Sequence, residues 1–157
     1  MRRRMILAAA LLAAVLGPTR LAGQSPRALV LNQLDVGAEL PERSGFQLAE
    51  DVMSRNSVVG ILPQGSVVAL DLSLTQGTRY FIIGVCDGSC QDLDLSLLDL
   101  DEDVTVAEDV ADDDVPVLDF IAPRTGVYYL VVRMEDCQQE FCMFGYRVWS
   151  QGSSGQG

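Results

Sequence analysis

The sequence predicts an all-β protein: one antiparallel β-sandwich stapled by two local disulfides. Three observations predict it. Leu93, Leu95 and Leu97 alternate with Asp92, Asp94 and Ser96, the period of two that marks a half-buried strand. Strand-forming runs recur from residue 57 to residue 150, separated by glycine- and proline-bearing turns, a spacing that suits a sandwich rather than a parallel sheet. Four cysteines fall as two close pairs, Cys86 with Cys90 and Cys137 with Cys142, each at the ends of a short loop between such runs.

In chain order, residues 1–23 read as an export signal. Arg2, Arg3 and Arg4 precede an apolar run from Met5 to Leu16, Gly17 and Pro18 break the run, and Ala22 and Gly23 offer small residues for cleavage near Gln24. The run is too short for an ordinary membrane-spanning helix, so no span is expected after cleavage. The location implied is secreted or periplasmic, as for an exported bacterial protein. The signal carries Arg20 besides the first three arginines and no acid, so the exported chain is more acidic than the −11 of the whole sequence. Such a surface repels nucleic-acid phosphates and anionic lipid heads, and neither is an expected partner.

Residues 24–56 read as an arm or linker, with one short strand at Ala28–Leu31. Phe46–Val52 fits a helical turn as well as a strand. The sandwich domain is expected over 57–150, opening with Val58–Leu62. In the next strand Val68, Leu70, Leu72 and Leu74 alternate with Val67, Ala69, Asp71 and Ser73. Tyr80 to Asp99 follows as a hairpin closed by Cys86-Asp-Gly-Ser-Cys90, with the Asp-Gly chemistry of a tight turn. Of its first strand, Tyr80, Ile82 and Gly84 as one face and Phe81, Ile83 and Val85 as the other are both largely apolar, which leaves the facing open. Further strands are expected at Val104–Ala107, Val117–Ile121, Val127–Met134 and Phe144–Trp149, and residues 151–157 as a disordered polar tail. The core is expected to hold Leu70, Leu72, Ile82, Leu93, Leu95, Leu97, Leu118, Phe120, Tyr128, Leu130, Val132, Tyr146 and Val148.

The cysteine pairing follows from placement. Facing residues of an antiparallel pair lie within disulfide reach, so Cys86–Cys90 and Cys137–Cys142 need no further folding coincidence, and their role would be to pin hairpin register. The competing reading, a zinc site built from both pairs, lacks histidine and suits an exported chain less well.

Catalytic chemistry is poorly supplied. The sequence has no histidine and no lysine, which removes the usual general base of hydrolases. A carboxylate pair can serve a glycosidase, but nothing singles out two acids from so many, and no phosphate-cradling glycine loop is present. The reading is therefore non-enzymatic. Twelve acids lie between Asp92 and Asp119. Calcium is bound by clustered oxygen ligands, and Asp99, Asp101 and Asp103 in one turn, or Asp112, Asp113 and Asp114 in the next, are the candidate ligands. The EF-hand pattern fails at Val104, where glycine is required, and at Val110, where glutamate is required. The alternative is a solvated acidic face that keeps an exported protein soluble. Tyr129 and Trp149 fall on the faces of their strands opposite to the core residues and would form an exposed ligand platform; cross-strand packing is the bland alternative.

The order GxxYFIIGVCDGSCQDLDLSLLD, an acidic loop, PVLDFIAPRTGVYYLVVRM and FGYRVW resembles the bacterial pre-peptidase C-terminal (PPC) domain. The matching pieces are Asp92-Leu93-Asp94-Leu95, Ala122-Pro123-Arg124-Thr125-Gly126-Val127-Tyr128 and Phe144 to Val148, within residues 58–150. The chain is similar in particular to small exported proteins carrying CDxxCxDLDL. The resemblance implies a jelly-roll-like sandwich, substrate or matrix binding, and calcium sites as in some relatives; the cysteine pairs are not part of the general family pattern. Two functions are thus expected to compete. One is an accessory module recognising an envelope or extracellular protein or glycan, with no cofactor beyond a calcium ion. The other is a passive envelope protein without a specific ligand.

Overall fold

The structure, a computed structural model, describes residues 24–49, 52 and 57–152. The expected export signal at 1–23 lies outside the described residues, as does the expected tail from 153 on; Gln151, expected to open that tail, instead ends the last strand. Among the described residues two helices, α1 (Pro26–Gly37) and α2 (Glu39–Arg43), precede nine strands: β1 (Gln47–Leu48), β2 (Ser57–Pro63), β3 (Val67–Leu74), β4 (Arg79–Cys86), β5 (Cys90–Asp99), β6 (Val104–Asp109), β7 (Val117–Ile121), β8 (Gly126–Cys137) and β9 (Phe141–Gln151). One sheet has five strands, in the order β2-β9-β4-β7 with β1 pairing further along β9; the other has the order β3-β8-β5-β6. All pairings are antiparallel. From β2 onward the chain changes sheet at every connection but β5–β6, the strand order of a jelly roll.

The core lies between the sheets. Leu93, Leu95 and Leu97 of β5 meet Tyr128, Leu130 and Val132 of β8 within their sheet, and Ile82, Leu118, Phe120, Tyr146 and Val148 face them from the other. All of these are buried, as the alternation predicts. Leu70 is half-buried and packs against the core from its margin.

Two expectations are corrected. The arm at 24–44 holds no strand at Ala28–Leu31; it is helical. The Ser25 hydroxyl accepts from the Ala28 N–H at 3.3 Å and Pro26 opens the first turn, the pairing of cap and pre-set φ that starts helices. Val30, Leu34 and Ala38, spaced four apart, and Pro41 are buried, whereas Leu29, Val36 and Leu40 are apolar and exposed, which blurs the helical period in the sequence. The helix lies on the outer face of the five-stranded sheet, against Phe81, Ile83, Val85 and Trp149. This explains β4: it is buried from Tyr80 to Cys86 because one face meets the sandwich core and the other meets α1. Of the ambiguous Phe46–Val52, Gln47 and Leu48 form a short strand, and Glu50 and Asp51 lie outside the described residues.

The second correction concerns the cysteine loops. Both expected disulfides form, with Cα–Cα distances of 5.9 Å for Cys86–Cys90 and 5.8 Å for Cys137–Cys142. Neither closes a hairpin. Cys86 ends β4 in one sheet and Cys90 opens β5 in the other, and Cys137 and Cys142 stand in the same relation on β8 and β9. Each bridge therefore pins the chain where it arches between sheets. The two arches abut, since Cys90 pairs in register with Cys137 and the Gln138 N–H donates to the Ser89 carbonyl at 2.8 Å. Turn chemistry announces a reversal of the chain; it does not say which sheet the next strand joins.

Candidate functional site

The aromatic platform does not exist. Tyr129 lies half-buried on β8, opposite Asp71 and Leu98 in the four-stranded sheet. Trp149 lies on β9 in the other sheet, fully buried among Phe46, Phe81, Val30 and Leu34. The parity that puts Trp149 on the outer face is right, but α1 covers that face.

The acidic turn at Asp99–Asp103 is likewise built differently from a calcium loop. Asp99 is fully buried. Its carboxylate accepts from Arg124 Nε and Nη2 and from the backbone N–H groups of Asp101 and Glu102, at 3.1 and 3.3 Å. Arg124 also pairs with Asp101 at 2.8 Å and lies 5.2 Å from the Tyr128 ring centre. The Tyr128 hydroxyl donates to the Arg124 carbonyl and accepts the Arg124 N–H. Hydrogen bonding to Arg124 holds the Asp99 carboxyl below its ordinary range, against the opposing effect of burial. Asp99 and Asp101 are thus committed to a cation that the chain itself supplies.

Asp112–Asp114 sits apart from that turn, where the Asp113 carbonyl accepts the Leu93 N–H and its carboxylate accepts the Val115 N–H. Among the described residues, no three acidic or cysteine side chains are grouped to hold a metal ion. Nearby, Asp92 faces Asp136 across β5 and β8, and its buried Oδ1 has no hydrogen-bond partner among the described residues. Burial, then Asp94, Asp112, Glu135 and Asp113, push its carboxyl upward. Asp94 is pushed upward too, by burial first and then by Glu135, with Arg133 opposing.

A cleft of about 960 Å³ lies elsewhere, at the end of the sandwich away from the disulfides. Ala49, Val52, Leu74 and Tyr80, all buried, form its floor. Gln47, Ser73, Thr75, Thr78, Thr125 and Ser150 supply hydroxyl and amide groups around it. None of its described lining residues is charged, in a chain where 21% of residues are.

The cleft walls are tied together. The Gly77 N–H donates to the Ala122 carbonyl at 2.9 Å and the Ala122 N–H to the Thr78 carbonyl at 3.0 Å. The Gln76 N–H donates to Thr125 Oγ1 at 2.9 Å, and the Thr75 N–H to the Tyr80 hydroxyl at 3.0 Å. Gly77 turns the β3–β4 corner at φ 78°, a backbone state open to glycine without steric cost.

Sequence reasoning missed this cleft because its residues come from four separate segments. In the sequence, Thr75-Gln-Gly77 and Pro123-Arg-Thr-Gly126 read only as turns. Thr75 and Thr78 at one and Thr125 at the other were the available signal. No family model matches the chain, and comparison with curated proteins finds no match.

Proposed function

We propose that this chain is an exported, non-enzymatic β-sandwich module that recognises a protein or glycan through the cleft at the end of its sandwich. One observation carries the reading: a partly apolar concavity, uncharged among its described lining residues and bounded by two turns that hydrogen-bond to each other. Binding sites combine an apolar surface with a few convergent polar groups, held by a rigid scaffold. The leader-like N-terminus and the two disulfides support export, and the resemblance to pre-peptidase C-terminal domains supports an accessory role.

The test is capture from native envelope together with a glycan array, using the mature chain and Thr75→Arg. Thr75 is exposed at the cleft, so the arginine intrudes without disturbing the core. Saturable binding lost in Thr75→Arg is the expected result. Binding that survives the substitution would move the site off the cleft, and no partner in either assay would leave the passive structural role.

A further inference from the structure

We propose that the ligand of this cleft is a neutral saccharide; the inference rests on the binding-module reading and narrows it to one chemical class. The first argument is which hydrogen-bonding groups remain free. A peptide held by strand addition needs unused backbone N–H and C=O groups along a sheet edge. At the cleft several such donors are already used. The Ser73 N–H, on the edge strand β3, donates to the Val52 carbonyl, and the Ala49 N–H donates to the Val148 carbonyl. The Thr75 and Gln76 N–H groups are taken by Tyr80 and Thr125. Among the described polar side chains of the lining, hydroxyls predominate, with the Gln47 amide beside them. Ser73, Thr75, Thr78 and Ser150 line the cleft, and each hydroxyl can both donate and accept. A ligand rich in hydroxyl groups, which have the same dual capacity, matches that set.

The second argument is charge. An anionic or cationic ligand would be desolvated against a wall with no opposite charge among its described residues, which is costly. The net charge of −11 further disfavours acidic polymers. The third is the floor. Over the buried Leu74, Tyr80 and Val52, the exposed Val127 and half-buried Leu48 present apolar surface on which the C–H face of a pyranose can lie while its hydroxyls reach the rim, the amphipathic match that carbohydrate shape allows.

Titration of ¹⁵N-labelled mature protein tests this, with neutral β-1,4-glucan, α-1,4-glucan and N-acetylglucosamine oligomers as probes. Polygalacturonate and an unstructured neutral peptide run in parallel. Concentrations up to about 10 mM detect even a millimolar Kd. The expected result is amide shift changes confined to residues 73–78, 125–127 and 150–152 with at least one neutral oligomer and with neither control. Thr75→Val with Thr78→Val should weaken that binding about tenfold, as two lost hydroxyl hydrogen bonds would, with an unchanged melting temperature as the control for folding. Shifts on another face, or cleft shifts with polygalacturonate or peptide alone, overturn the proposal. If envelope capture is still lost in Thr75→Arg while no neutral oligomer shifts the cleft, the ligand class is wrong and the module reading stands. If both assays are silent, both readings fall.

Discussion

Asp99 and Arg124 show how far one pair of residues can set a local structure. They are distant in sequence, yet the buried carboxylate and the guanidinium join the β5–β6 turn to the β7–β8 turn. Removing one partner of such a pair leaves the other uncompensated. Asp99→Asn should therefore lower the melting temperature by several degrees, more than Asp101→Asn, whose carboxylate is exposed; thermal denaturation of the two variants checks the order. The pH dependence has two opposite parts. Asp99 is depressed, so its contribution is present above the ordinary aspartate value of 3.8 and is lost as pH falls through its lower folded value. Asp92 and Asp94 are raised, so the folded state takes up their protons first. Their penalty is present at neutral pH and relieved as pH falls through the raised values towards 3.8. On these groups alone stability should rise as pH falls from neutral towards 3.8, and Asp92→Asn should raise the neutral-pH melting temperature and flatten that rise. A profile that stays flat from neutral pH down to 3.8 for the parent chain would show that the crowding around Asp92 is relieved by solvent.

The elements most changed by tertiary context are α1 and the two cysteine arches. Helix α1 sits so close to β9 that a Cβ built on Gly145 would come within 2.6 Å of Val30 Cγ1 and 3.1 Å of Leu34 Cδ1. Gly145→Ala should cost about 1–3 kcal/mol by overpacking, and Val30→Ala in the same chain should recover part of it. Denaturant unfolding of both singles and the double gives the coupling; additivity would mean that α1 does not press on Gly145. The arches make a separate prediction. Chain-entropy loss assigns about 2 kcal/mol to a bridge closing so short a loop, so Cys137→Ser with Cys142→Ser should destabilise by that amount. Because the arches touch through Cys90 and Cys137, removing both bridges should depart from additivity. The Asp87 carboxylate accepts the Ser89 N–H and the Met143 N–H, which gives the first arch a tie to β9 that remains after reduction.

At the scale of the molecule, the fold is a two-sheet sandwich with a helical third layer on one side and a cleft at one end, carried on a strongly acidic chain. With Asp99 and Asp101 held by Arg124, the remaining acids are expected to respond to ionic strength rather than to a particular ion. Calcium and magnesium at equal ionic strength should raise the melting temperature equally. An excess for calcium that disappears with Asp112→Asn and Asp114→Asn would instead establish a site in that turn.

The sequence by itself determined the sandwich, most of its strands, the alternating core of β5 and β8, and the cysteine pairing. Those are local properties: side-chain parity along a strand, turn residues at fixed offsets, and cysteines close enough to meet without a long-range contact. Tertiary structure decided what each face and each turn meets. β4 was apolar on both faces in the sequence, and only the docking of α1 says why. Trp149 has outward parity and is nonetheless buried, Asp99 carries calcium-loop spacing and nonetheless holds an arginine, and the threonines of two ordinary turns meet around one cleft. Period and propensity describe a residue's relation to its own element. The partner of an outward face, a buried charge or a turn comes from a distant part of the chain, and only the folded chain brings it into contact.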